Sequence, residues 1–226
     1  MDYKYKDSKI KFLGGESFKI MSILFLGWLL LFILALYIGN QIDREYTIEL
    51  LKSRKLKMIV CLIPLGLHLK ITAIIRAIED ANKKLKKGDI SNALVKLKDD
   101  VELDIEKKFK YANSNSQKDK KNKYKFAYLE TKFRCYFELV KTQYTKEAKE
   151  NLDKTFGEII ALLEIMNEKE EQAYLYYNKG IASEIIYNTN RSNEYKIEAQ
   201  NNYQKSIELS KNQEFINQAN KRLNNI

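Results

Sequence analysis

From Ile20 to Ile42 the chain reads "IMSILFLGWLLLFILALYIGNQI", 23 residues without a charge. As an α-helix a run of this length spans roughly 35 Å, against a bilayer hydrocarbon core of about 30 Å. A segment so apolar has to be covered by protein or by lipid, and soluble cores seldom hide one so long. The run predicts a transmembrane helix over residues 20–42, with Tyr37 near one end as an interfacial anchor. A cleaved secretory leader is the rival reading. Its apolar stretch is normally shorter and is followed by small residues and a cleavage site, which are not evident here.

The flanks bear on topology. Residues 1–19 form a basic tail. Gly14–Glu16 would be encoded by purine-rich codons resembling a bacterial ribosome-binding site, and Met21 follows shortly after. The expectation is a bacterial membrane protein whose translation starts at Met21, leaving the tail untranslated. With that start, Arg44, Lys52, Arg54, Lys55 and Lys57 all follow the span, and positive charge on the C-terminal side places the helical domain in the cytoplasm. Within the juxtamembrane segment, 43–70, a second apolar stretch runs from Met58 to Leu69 and contains Pro64, Gly66 and His68. Its length suits a re-entrant or interfacial segment better than a span. A second span would give a two-pass hairpin, which also leaves the domain cytoplasmic. A single span with the basic tail inside would put it outside.

Pro64 is the only proline, and there are eight glycines in 226 residues. That scarcity of breakers, with abundant Lys, Glu, Leu, Ile and Ala, predicts an all-α protein. From residue 71 to 226 the apolar positions follow a helical period. Ile71, Ile74, Ile75, Ile78, Ala81 and Leu85 form one face. Gly88 ends that helix, and Asp89 caps a second carrying Ile90, Leu94, Leu97, Val101, Ile105 and Phe109. The polar run Asn113–Lys125 reads as an exposed connector, with a contact to anionic lipid or nucleic acid as its functional alternative. A third helix carries Phe126 to Tyr144, and a fourth starts near Thr145. A fifth carries Ala173 to Ile185, and a sixth follows the loop Asn188–Asn193. A short last helix, Gln213 to Leu223, starts after Asn212.

The second helices of these pairs share a pattern. Ala93, Ala148 and Ala199 are each followed four residues later by a large apolar residue: Leu97, Leu152 and Tyr203. A small side chain lets two helices approach, and the large one fills the adjoining groove. This pattern, with Gly88 at one turn and Gly180 in "YLYYNKGIASEIIY", resembles the tetratricopeptide repeat (TPR) family, whose signature includes a Leu-Gly in the first helix and A-x3-F in the second. The alanines lie 55 and 51 residues apart instead of 34, and the family's tryptophan and proline are missing. The expected architecture is an N-terminal transmembrane helix followed by an α-solenoid of antiparallel, TPR-like helix pairs over 71–226.

The resemblance implies a scaffold that binds a protein or peptide in a groove lined by first helices. On that mapping Phe133, Phe137, Tyr174, Tyr177, Ile181 and Glu184 are groove candidates. The net charge is +10, but six arginines among 40 basic residues, mixed with 30 acids and no groove-reading motif, argue against nucleic acid. Cys61 and Cys135 form no disulfide framework or metal motif. The lone histidine, His68, sits in an apolar run, and adjacent acids such as Glu170 and Glu171 point to different sides of a helix. No catalytic, cofactor or metal constellation is therefore expected. Two functional readings follow. One is a membrane-tethered scaffold that recruits a protein partner. The other is a membrane-remodelling or pore-associated protein with a helical domain for homo-oligomerisation.

Overall fold

The computed structural model describes residues 22–34, 37, 38, 41 and 72–226, and among these every regular element is a helix. The chain divides into two compact units, Met1–Glu79 and Asp80–Ile226. In the first unit residues 22–34 are helical, and most of their aliphatic side chains lie open, with Ile23 70% exposed. Among the described residues no helix is long and apolar enough to cross a membrane. The expected span, 20–42, runs past the described stretch. The tail 1–19, the juxtamembrane segment 43–70 and the apolar run Met58–Leu69 lie outside the described residues.

Eight helices follow: α1 (Ala73–Lys86), α2 (Ile90–Lys96), α3 (Asp99–Lys108), α4 (Asn115–Thr142), α5 (Lys146–Met166), α6 (Lys169–Asn190), α7 (Asn193–Leu209) and α8 (Gln213–Asn225). Helix α1 crosses the boundary between the units and buries Ile74, Ile75, Ile78, Ala81 and Leu85 of the expected stripe, whose first member, Ile71, lies outside the described residues. Gly88 ends it in the left-handed region (φ 77°), where a glycine has no Cβ to clash. Asp89 then caps α2, its carboxylate accepting from the Asn92 amide at 3.4 Å.

Two local expectations change. The stripe from Ile90 to Phe109 is split into α2 and α3 at Leu97–Lys98. Helix α3 begins at Asp99, and Asp100 in its first turn is an acid of the kind that complements a helix N-terminus. The Leu97 carbonyl, freed at the break, accepts from the Tyr128 hydroxyl at 3.4 Å. The polar run Asn113–Lys125 is not a connector but the start of α4. Ser114 and Gln117 form a capping box, and the helix runs 28 residues from there. Lys121 pairs with Glu106 at 2.5 Å and Lys125 with Glu102 at 3.3 Å, tying this first half of α4 antiparallel to α3. A hydrogen bond from Asn82 to Thr131 (2.9 Å), with Arg134 donating to Asn82 (3.2 Å), joins the end of α1 to α4.

The remaining helices form antiparallel pairs joined by short turns, α4 with α5 and α6 with α7, and α8 packs on α7. Thr145 caps α5 by accepting from Ala148, and Asn212 caps α8 by accepting from Glu214 and Phe215. Asn167 and Arg191 take left-handed conformations at the ends of α5 and α6, turning the chain sharply. The predicted loop Asn188–Asn193 is thereby shortened, since α6 continues to Asn190.

Exposure separates first helices from second. From 124 to 140 in α4 and from 171 to 187 in α6 no residue is exposed, whereas α5 and α7 each carry an exposed stripe. On α5 it runs through Glu150, Lys154, Gly157, Ala161 and Glu164, and on α7 through Glu194, Ile197, Asn201, Lys205 and Glu208. Along these stretches α4 and α6 have no fully exposed position, only buried and half-buried ones, whereas α5 and α7 present one wet face. Cys135 is buried in α4, and burial pushes its thiol up to about 12, so it stays protonated and unreactive.

Candidate functional site

Among the described helices the α6/α7 pair is the most extensively packed, with a close approach at one residue. A Cβ placed on Gly180 would lie 2.7 Å from Cε1 and 2.8 Å from Cδ1 of Tyr203. Those separations are well inside van der Waals contact, so only glycine lets the Tyr203 ring lie against the α6 backbone. Ala199, fully buried one turn before Tyr203, keeps the rest of the seam close. The other small-then-large pairs are interior as well: Ala93 with Leu97, and Ala148 with Leu152.

Around Tyr203 an aromatic cluster joins α6, α7 and α8. Ala173, Tyr177, Ala199, Tyr203, Phe215 and Ala219 are buried there, with Tyr174 and Ile181 packed against them. Tyr177 and Phe215 meet edge to face at 5.2 Å, and Tyr174 stacks on Phe215 at 6.0 Å. The rim is polar. Glu184 accepts from the Tyr203 hydroxyl and from Arg222 Nη1 (3.0 Å), while Arg222 Nε donates to the Tyr177 hydroxyl (3.1 Å). Burial and the bond to Glu184 hold the Tyr203 phenol above its ordinary value, so it remains a donor.

Of the six groove candidates, four meet here. Tyr177 is interior, Tyr174 and Ile181 are half-buried against the cluster, and Glu184 is the half-buried acceptor at its rim. Phe133 and Phe137 lie elsewhere. Phe133 is buried, stacks with Phe137 at 6.4 Å and sits 6.3 Å from Phe156 at the α4/α5 seam. The six therefore divide between two seams.

On the other side of α6 the seam is ionic. Lys149 and Asp153 from α5, Lys179 from α6 and Glu198 from α7 form a closed quartet. Lys149 donates to Asp153 (2.7 Å) and Glu198 (3.1 Å), and Lys179 donates to Glu198 (2.7 Å) and to Asp153. The lysine side chains are 10% and 5% exposed. Burial pushes the Glu198 carboxyl up, but the ammonium groups of Lys179 and Lys149 outweigh it and hold the acid below its usual range. Burial dominates at Lys179 and holds its ammonium below the ordinary lysine value. Beside the quartet the Tyr144 and Tyr195 hydroxyls lie 3.4 Å apart, and that bond, with some burial, pushes the Tyr195 phenol up to about 12.

Two ammonium groups facing two carboxylates leave no net charge for a ligand, so the quartet acts as a joint. Its members are spread across 50 residues of sequence, and the α6–α8 cluster likewise depends on Phe215 and Arg222 from the last helix. One signal was available: Lys179 stands beside Gly180 amid the aromatic and aliphatic residues of "YLYYNKGIASEIIY", where a charge has to be paired. Among the described residues no group of His, Cys, Asp or Glu could hold a metal ion. No family model, curated protein or solved structure matches the chain.

Proposed function

We propose that the protein is a membrane-tethered, TPR-like helical scaffold that holds a protein or peptide partner at the bilayer. The observation that carries this reading is a contrast in surface. All but one of the large aliphatic side chains of residues 22–34 lie open, from 41% at Leu29 to 70% at Ile23, within an uncharged run of 23 residues. From α4 onward, by contrast, most apolar side chains are collected into seams between helices, and the large aliphatics left open, Ile165 and Ile197, stand singly. An apolar helix with its side chains open to solvent is stable when lipid covers it. The scaffold reading draws on the paired helices, on the small-then-large seams, and on half-buried rings at Phe137 and Tyr174 that offer contact area with few rotors. The resemblance to TPR proteins supplies the mode, a peptide held against first helices, and Glu184 at the cluster rim would be a polar group for it.

Two measurements test the reading. The full chain should stay with membranes through high salt and alkaline carbonate, and Leu26→Asp with Leu30→Asp should release it. Carbonate release of the unaltered chain would remove the tether. Photo-crosslinking residues at positions 137 and 174 should each join the protein to the same partner in native membranes. Adducts at the exposed Lys154 and Lys205 but at neither ring position would move the binding surface to the second helices.

A further inference from the structure

The turn between α3 and α4 gathers charge that the two seams do not use. Residues 107–125 hold eight lysines and one acid, Asp119. Lys121 and Lys125 are occupied by Glu106 and Glu102 and fix α4 to α3. Asp104 lies one helical turn before Lys107 and Lys108, and with Glu102 and Glu106 it still leaves the α3–α4 tip with an excess of lysine. Lys107, Lys108, Lys110, Lys118 and Lys123 are exposed around the turn. The turn itself is held in place. Phe109 meets Tyr124 edge to face at 5.5 Å, and the Lys108 ammonium lies 4.6 Å from the Tyr124 ring. Two residues beyond Phe109, Tyr111 is thrown outward, 78% exposed, with Lys110 over its ring at 5.4 Å. Leu103, one turn before Lys107 on the same face of α3, is exposed as well.

We propose that this α3–α4 tip is a docking surface for anionic lipid headgroups, with Tyr111 entering the interfacial layer. A cluster of lysines is drawn to a negatively charged membrane surface, and an amphipathic ring beside it suits the headgroup region. The chemistry favours lipid over nucleic acid. The patch is all lysine, a point charge suited to a diffuse anionic surface, and has no arginine fork for bidentate phosphate or base contacts. The proposal deepens the tether reading by naming the lipid class, and it gives the membrane a second, salt-sensitive hold on the protein.

Hydrogen exchange of the full chain in nanodiscs tests it. In discs of phosphatidylcholine with phosphatidylserine, amides of 107–125 exchange more slowly than in phosphatidylcholine alone, and 0.5 M salt, about a 4 Å screening length, removes the difference. The triple variant Lys107→Glu, Lys110→Glu, Lys118→Glu loses the protection, whereas the same positions changed to Arg keep it. At about fivefold per basic residue, three lysines change lipid partitioning by roughly 100-fold. These sites avoid Lys121 and Lys125, so the helical circular dichroism is unchanged. Equal exchange in both discs overturns the proposal. Protection by duplex DNA equal to or greater than that by phosphatidylserine also overturns it, because the tip is then a general polyanion site. Failure of the tether is separately visible as loss of the chain from phosphatidylcholine discs at high salt. In that event the tip is read by salt-sensitive flotation of the same chain on phosphatidylserine vesicles.

Discussion

Helix α6 is joined to its neighbours in two different ways. Toward α5 the joint is four charges, Lys149, Asp153, Lys179 and Glu198. Toward α8 it is rings and small residues closed by one Arg222–Glu184 pair. Both hold the α6/α7 pair, but they differ in how they fail. A charge quartet satisfies its members only together, so removing one leaves others desolvated and under-compensated. An apolar cluster loses contacts in proportion to what is removed. The ionic joint thus specifies one arrangement of α5 against α6 and α7, and the aromatic joint supplies graded cohesion.

Substitutions can break that contrast. The largest effect is expected at Lys179→Met, which leaves Glu198 and Asp153 sharing Lys149. It should cost about 3 kcal/mol, the low end for breaking a buried pair because Lys149 still serves both acids. Adding Glu198→Leu should recover a large part of that loss. A denaturant titration in which the two losses simply add would show that the quartet is not a unit. Next is Gly180→Ala. The added methyl meets the Tyr203 ring at 2.7 Å, and overpacking should outweigh the helix-propensity gain, for a net loss of about 1–2 kcal/mol. Tyr203→Leu in the same chain should relieve the clash, and thermal melts of the single and double variants test this. Phe215→Leu should cost only about 1 kcal/mol, since its neighbours can close around the smaller side chain. A loss as large as that at Lys179 would erase the distinction between the joints.

The smallest effect is in acid. Glu198 titrates below its ordinary value of 4.5 in the fold. Its folded pKa is depressed, so its contribution is fully present above that value and is lost as pH falls through the folded pKa. Glu198→Gln lacks the contribution at every pH. The stability gap between the two proteins should therefore be constant near neutrality and narrow below pH 4.5. A gap that stays constant through the acid range would remove Glu198 from the ionic joint.

Local features of the fold were readable before the structure. Asp89, Thr145 and Asn212 cap helices as their residue types and positions suggest, and Gly88 ends α1 at a positive φ. Gly180 lies against Tyr203, and Ala199 is buried one turn before it. The misreadings occurred where tertiary partners decide. "NSNSQKDKKNKYK" contains no strong helix signal except its cap, and Glu102 and Glu106 of α3 help hold it helical. The break at Leu97–Lys98 has no glycine or proline to announce it. The ionic quartet left one sign in the sequence, Lys179 amid apolar residues, and its partners come from α5 and α7 only through the tertiary packing.

The lack of a fully exposed position along α6, from 171 to 187, has a consequence over evolutionary time. Along that stretch fewer substitutions should pass unnoticed than on the neighbouring helices. Neutral drift should collect instead on the wet stripes of α5 and α7, at positions such as Lys154, Ala161, Asn201 and Lys205. Diverged descendants of this chain would then be recognised by the "YLYYNKGIASEIIY" segment long after the flanking helices had lost their likeness.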